Sequence, residues 1–78
     1  MTLDKLLIGE TARIASLGMA GVSRRRMMDR GFTPGAHIIA LHKGRGGYPA
    51  AYLVRGCVIA LREEEVRAIN VKLVYDTQ

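Results

Sequence analysis

The segment Ser23-Arg24-Arg25-Arg26-Met27-Met28-Asp29-Arg30-Gly31-Phe32-Thr33-Pro34-Gly35 allows a helix of barely two turns and then makes the chain reverse. Ser23 offers a side-chain oxygen to the free N–H groups of a helix start. Gly31 adopts the left-handed backbone that ends a helix without a Cβ clash. Pro34-Gly35 adds a turn directly behind it. Arg24, Arg25 and Arg26 spread over roughly 300° of a helix at about 100° per residue, so they cannot share one face. Some flank the core and the others meet solvent or a partner.

The remaining pattern is one of short strands broken by glycine. Thr2 caps a first helix in which Leu3, Leu6 and Leu7 recur, and Gly9 stops it. Residues 11–17 read as a weakly alternating strand ended by Gly18 and Gly21, and residues 36–43 as a second strand rich in Ile and Ala. Residues 43–49 hold three glycines and Pro49, which suits an irregular basic loop. Residues 51–55 and 57–62 form an antiparallel hairpin around Gly56. Glu63, Glu64 and Glu65 open a last helical turn with Val66 and Ile69 facing inward. Residues 71–75 close the chain with Val71, Leu73 and Tyr75 on one face. Five strands in 78 residues fit a small, partly open barrel, mainly β, with two or three short helices, as one domain over residues 1–78. With no Trp and few aromatics, its core is built from Leu, Ile, Val, Ala and Met.

Catalysis is poorly served. No acid lies beside a histidine in sequence, and three glutamates at a helix start are ordinarily solvated partners of the helix dipole. His37 and His42 lie five apart on a strand, so alternation sends them to opposite faces and they do not chelate one ion. Cys57, the only cysteine, excludes an internal disulfide and reads as a small buried hydrophobe; Arg55 falls on its face by alternation. At least one of Met27 and Met28 packs inward. No metal site and no cofactor are expected. Residues 1–9 form too short an apolar run for a signal peptide or a membrane span, and one unpaired cysteine suits a reducing cytoplasm.

The net charge is +5, and residues 11 to 62 carry nine Lys or Arg against Asp29 alone, which favours an anionic partner. Candidate contacts are Arg24, Arg25, Lys43 and Arg45, with Tyr48 as an aromatic anchor. The alternative reading is a basic barrel that binds nucleic acid through phosphates. Phe32, Tyr48, Tyr52 and Tyr75 are not interleaved with the basic run, so charge alone would carry that binding, and nucleic acid is not the expected partner.

Leu3, Leu6 and Gly9, then Arg25 to Gly35, then Arg55-Gly56 and Ala60-Leu61-Arg62 ahead of Ile69, resemble the FeoA family of bacterial ferrous iron transport proteins over nearly the whole chain. The resemblance implies an SH3-like β-barrel, cytosolic and non-catalytic, that works with the cytoplasmic, GTP-binding region of the membrane ferrous iron transporter FeoB. Family members commonly carry Gly-Asp-Pro before the third strand; this chain has Gly47-Tyr48-Pro49, an aromatic ring in place of a charge.

Overall fold

The computed structural model describes residues 1–74. Tyr75, assigned to the last strand from sequence, lies outside them. Five strands, β1 (Thr11–Leu17), β2 (His37–Lys43), β3 (Ala50–Val54), β4 (Cys57–Leu61) and β5 (Ile69–Leu73), form one antiparallel sheet in the order β4-β3-β2-β1-β5. Helix α1 (Gly21–Asp29) joins β1 to β2, and the single turn α2 (Glu63–Val66) joins β4 to β5. Among the described residues β4 and β5 do not pair, so the sheet is open between them.

One face of the sheet carries the core. Ala12 and Ile14 of β1, Ile38 and Ala40 of β2, Ala50, Tyr52 and Val54 of β3, and Ile69 and Val71 of β5 are buried together with Leu3, Leu6, Met27, Phe32, Leu61 and Val66. Leu3 and Leu6 come from a 3-10 turn, Leu3–Lys5, where the sequence suggests an α-helix. Thr2 does not cap it: its hydroxyl donates to the Asp4 carboxylate instead. Two bulges set the alternation. Pairing of β1 with β5 shifts between Ile14 and Ser16, which brings Leu17 back to the core and explains why β1 alternates weakly in sequence. Pairing of β2 with β3 shifts between Ala40 and His42.

Helix α1 starts two residues before Ser23, with Ala20 as the extended N-cap and Gly21 at φ +63°; Ser23 sits inside the first turn and caps nothing. Its end follows the sequence closely. Gly31, at φ +99°, donates to the Met28 carbonyl at 3.0 Å, and the Phe32 N–H reaches the Met27 carbonyl at 3.0 Å. This is the paired bonding of a Schellman end, and it drops Phe32 and Met27 into the core together. Met28 stays exposed. The hairpin between β3 and β4 closes over Arg55 and Gly56, both at positive φ, a two-residue turn whose twist matches the strands. Arg55 reaches across to the α1 end, donating to Thr33 Oγ1 at 2.8 Å and to the Gly31 carbonyl at 3.4 Å. Arg55 therefore fastens two corners of the sheet.

Helix α2 holds Val66 inward, as expected, but Ile69 enters the core from β5 rather than from the helix. Its three glutamates occupy the first turn. Glu65 Oε1 accepts the Arg62 N–H at 2.8 Å, and Glu63 pairs with Arg67 at 2.5 Å.

Candidate docking surface

The five sequence-derived contact residues fall into two groups. Arg24 and Arg25 lie on α1, at the end of the sheet where β1 finishes and β2 begins. Lys43 ends β2, and Arg45 and Tyr48 belong to the following loop, at the opposite end. The seven residues of β2 separate the groups by roughly 20 Å at about 3.3 Å per residue. Within the first group, Arg24 is half-buried and its guanidinium donates to the Leu17 carbonyl at 3.3 Å, while Arg25 is exposed. In the second, Arg45 is exposed, and Tyr48 is half-buried against the core.

The loop after β2 is more ordered in form than its glycines suggest. Arg45–Gly47 make a 3-10 turn, Gly47 donates to the Gly44 carbonyl at 2.8 Å and Gly44 to the Pro49 carbonyl at 3.0 Å, and the Tyr48–Pro49 peptide is cis. These bonds hold Lys43, Arg45 and Tyr48 on one knuckle.

Beside that knuckle lie apolar residues that the sequence reading did not assign to a surface. The chain turns at Leu7-Ile8-Gly9-Glu10, with the Glu10 N–H on the Leu7 carbonyl at 2.9 Å and the Leu7 N–H on Glu10 Oε1 at 2.8 Å. Leu7 and Ile8 stand at its tip, 63% and 59% exposed. Gly9 donates to the Ala40 carbonyl at 2.7 Å, which sets the turn beside Leu41, the residue of the β2 bulge, 39% exposed. Leu7 matches the helical spacing of Leu3 and Leu6, so sequence places it in the core; the 3-10 turn ends too early to carry it there. Leu41 is lost from the alternation for a similar local reason, the bulge. Lys5, Lys43 and Arg45 neighbour these three apolar side chains in the chain. The result is a basic and apolar patch at one end of the sheet. Exposed apolar groups rimmed by charge mark interaction sites more often than scattered surface hydrophobes do.

At the other end, α1 and α2 flank a cleft of about 240 Å³, with Arg26 and Arg30 on one wall, Glu64 and Glu65 on the other and Met27 between. No ion pair crosses it among the described residues.

Two expectations about chemistry-bearing residues are corrected. The β2 bulge changes the parity after Ala40: His42 pairs with Ala51 and His37 with Arg13, and both histidines project from the solvent side of the sheet. They share a face rather than opposing ones, yet no group of three His, Cys, Asp or Glu side chains able to hold a metal forms among the described residues. Cys57 is exposed, not buried, because it opens the edge strand right after the hairpin turn. Arg55 does not share a strand face with it, being in that turn and turned toward Thr33.

Tyr52 is a titratable group whose pKa is shifted by its surroundings. Its side chain is buried, its hydroxyl has no hydrogen-bond partner among the described residues, and burial, with Tyr48 and Asp4 nearby, pushes its pKa up to about 12. A neutral phenol locked inside the sheet serves packing rather than proton transfer.

Comparison with known proteins decides the family. The FeoA domain model matches residues 1–73. The chain belongs to the FeoA family. The FeoA fold is equally clear in solved structures. Iron(II) transport protein A of Clostridium thermocellum shares 31% identity at a TM-score of 0.90, over 95% of this chain and 46% of its own, so this chain spans about half of that protein's length. FeoA of Chlorobium tepidum shares 28% identity at 0.91, covering 100% of this chain and 74% of its own. The zinc-bound FeoA of Stenotrophomonas maltophilia, described as an SH3 domain protein, shares 29% identity at 0.80, over 92% of this chain and 89% of its own. No curated protein matches the chain. The fold is thus mainly β and SH3-like, as the sequence led us to expect, and no helix among the described residues is long and apolar enough to cross a membrane.

Proposed function

We propose that this FeoA-family chain is a non-catalytic accessory protein of ferrous iron uptake, which docks from the cytoplasmic side on the GTP-binding region of a FeoB-type transporter. The observation that carries the docking face is the patch at the end of β2. Leu7, Ile8 and Leu41 offer apolar area on a hydrogen-bonded turn and a bulge, and Lys43 and Arg45 offer charge beside it. Apolar groups held in place lose little freedom on binding, and a basic rim steers an acidic partner into register. Tyr48 packs against the core beneath the knuckle. Arg24 and Arg25, at the far end, act in this reading through the long-range field of a +5 chain.

Calorimetric titration of the purified transporter's cytoplasmic domain tests the proposal. Leu7→Ser with Ile8→Ser is expected to weaken binding at least tenfold, about 1.4 kcal/mol. Lys43→Glu with Arg45→Glu is expected to weaken it by a similar factor, more at low salt. Arg24→Glu with Arg25→Glu should slow association without the tenfold loss. Unchanged affinity in the first two variants refutes this face as the docking surface.

A further inference from the structure

On the outer face of the sheet, two cations and a histidine stand side by side with no acid among them. The register sets Arg13 of β1 directly opposite His37 of β2 and directly opposite Lys72 of β5. Ala12, Ile14, Ile38 and Val71, their neighbours along the strands, are buried. Alternation therefore turns all three members of the row to the solvent side, where each is exposed. With neighbouring strands about 4.8 Å apart, the row spans roughly 10 Å. Like charges directly opposite each other destabilise a sheet, and Arg13 with Lys72 is such a pair.

Among the described residues no countercharge relieves it. Asp4 accepts from the Thr2 hydroxyl, Glu10 from the Leu7 N–H and Glu65 from the Arg62 N–H, while Glu63 pairs with Arg67. Asp29 and Glu64 belong to α1 and α2. The outward residues around the row, Thr11, Ala15, Ser16, Ile39 and Asn70, are uncharged, and Asn70 Nδ2 donates to Ser16 Oγ at 3.2 Å. Arg13, His37 and Lys72 make no side-chain hydrogen bond or ion pair among the described residues. Their donors are free. Between Arg13 and Lys72 and the Pro34-Gly35 turn lies a shallow hollow of about 330 Å³ that Ala15 also lines. The turn is held in place: the Gly35 N–H donates to the Ile14 carbonyl at 2.7 Å, and the Ile14 N–H to the Ala36 carbonyl at 2.9 Å.

We propose that Arg13 and Lys72, with His37 at the end of the row, form a binding site for a phosphate monoester. Two fixed positive charges match the dianion. The guanidinium offers a fork of N–H donors to phosphate oxygens and the ammonium a point charge, and an imidazole N–H adds a further donor. The hollow takes the organic group of the ester against Pro34 and Gly35. An anion between Arg13 and Lys72 also removes their mutual repulsion, so binding stabilises the fold. A phosphodiester carries one charge and a second substituent and meets only half of this arrangement. The site shares no residue with the patch of Leu7, Ile8 and Leu41, so either proposal can fail alone.

The test follows amide shifts of the isotope-labelled chain at low salt and about pH 8, above the second phosphate pKa of about 6. The probes are phenyl phosphate, inorganic phosphate and dimethyl phosphate. Phenyl phosphate is expected to shift residues 13–15, 35–37 and 71–73 with a Kd of about 1 mM or below. Inorganic phosphate should shift the same residues more weakly, and dimethyl phosphate should bind at least tenfold more weakly than phenyl phosphate. Arg13→Gln and Lys72→Gln should each weaken phenyl phosphate at least tenfold while melting no lower than the wild type, and Arg25→Gln should bind as the wild type does. Sedimentation with phosphatidylcholine vesicles containing phosphatidic acid separates the two sources of the ester: pelleting that Arg13→Gln abolishes assigns it to a lipid headgroup, and phenyl phosphate binding without pelleting assigns it to a soluble molecule. No shift up to about 20 mM phenyl phosphate, equal binding of dimethyl phosphate, or undiminished binding in both glutamine variants overturns the proposal. A lower melting temperature in both variants also overturns it, by showing that the two cations do not repel.

Discussion

Replacing Tyr52 by Phe removes a single oxygen from the middle of the sheet, and the structure gives that oxygen a definite sign. Tyr52 is 1% exposed and its hydroxyl has no partner among the described residues. A buried polar group without a hydrogen bond costs about 1–3 kcal/mol. The void left by the oxygen returns a few tenths of that at about 24 cal/mol per Å³. Tyr52→Phe is therefore expected to stabilise the chain by about 1 kcal/mol near neutral pH, raising the urea midpoint by about 1 M for an m-value near 1 kcal/mol/M. A pH series sharpens the claim. The folded pKa is raised from 10.0 to about 12, so the contribution of the neutral phenol is intact below pH 10 and is lost as pH rises through 12. The wild type loses about 1.4 kcal/mol of stability to this group by pH 11 and about 3 kcal/mol in all. The Phe variant loses none of it, and the gap between the two proteins widens accordingly. Urea unfolding at pH 7 and pH 11 gives both numbers. A variant less stable than wild type at pH 7, or a gap that does not widen, would refute the orphaned hydroxyl.

Other variants check the corners. Gly31→Ala imposes a Cβ at φ +99°, 3.0 Å from Arg55 Cδ, and should destabilise by about 1–2 kcal/mol in urea unfolding. Gly18→Ala places a Cβ 2.9 Å from the Ala68 carbonyl oxygen, beside the 2.5 Å bond from the Gly18 N–H to that oxygen. The backbone between β1 and α2 has to move, and a loss of about 1–3 kcal/mol is expected in the same assay. Glu65→Ala removes the acceptor of the Arg62 N–H and should destabilise by about 0.5–1 kcal/mol. Cys57, exposed at the start of β4, should react with a thiol reagent in the native protein within a few-fold of its rate in urea. Full protection would show that the edge is covered.

The parts legible in the sequence are those fixed by one residue's conformational needs. Gly31 ends α1 because no residue with a Cβ sits well at φ +99°, and Gly56 turns the hairpin for the same reason. Glycine spacing placed β1 on residues 11–17, whereas the last strand runs Ile69–Leu73 rather than 71–75 and Arg55 leaves the third strand for the turn. Where the reading failed, a second part of the chain had decided the outcome. Ser23 is a good cap by itself, but Gly21 already starts the helix upstream. The parity of β2 depends on a bulge that exists only in its pairing with β3, so both the face of His42 and the exposure of Leu41 were hidden. Cys57 looks buried in an apolar run, yet the strand order makes that run an edge.

The same distinction bears on the basic residues. Read as charges, Arg24, Arg25, Lys43, Arg45 and Arg55 belong to one cationic middle of the chain. Folded, Arg55 ties the hairpin to the end of α1, and Arg24 ties α1 to the last carbonyl of β1. Both arginines spend their donors on backbone and hydroxyl oxygens of their own chain. Lys43 and Arg45 make no side-chain hydrogen bond or ion pair among the described residues, and they stand where Leu7, Ile8 and Leu41 are also uncovered. Charge spent internally stabilises the fold, whereas charge left free beside apolar surface is available to a partner. On that ground the β2 end of the sheet, and not the arginine run of α1 that dominates the sequence, carries the docking proposal.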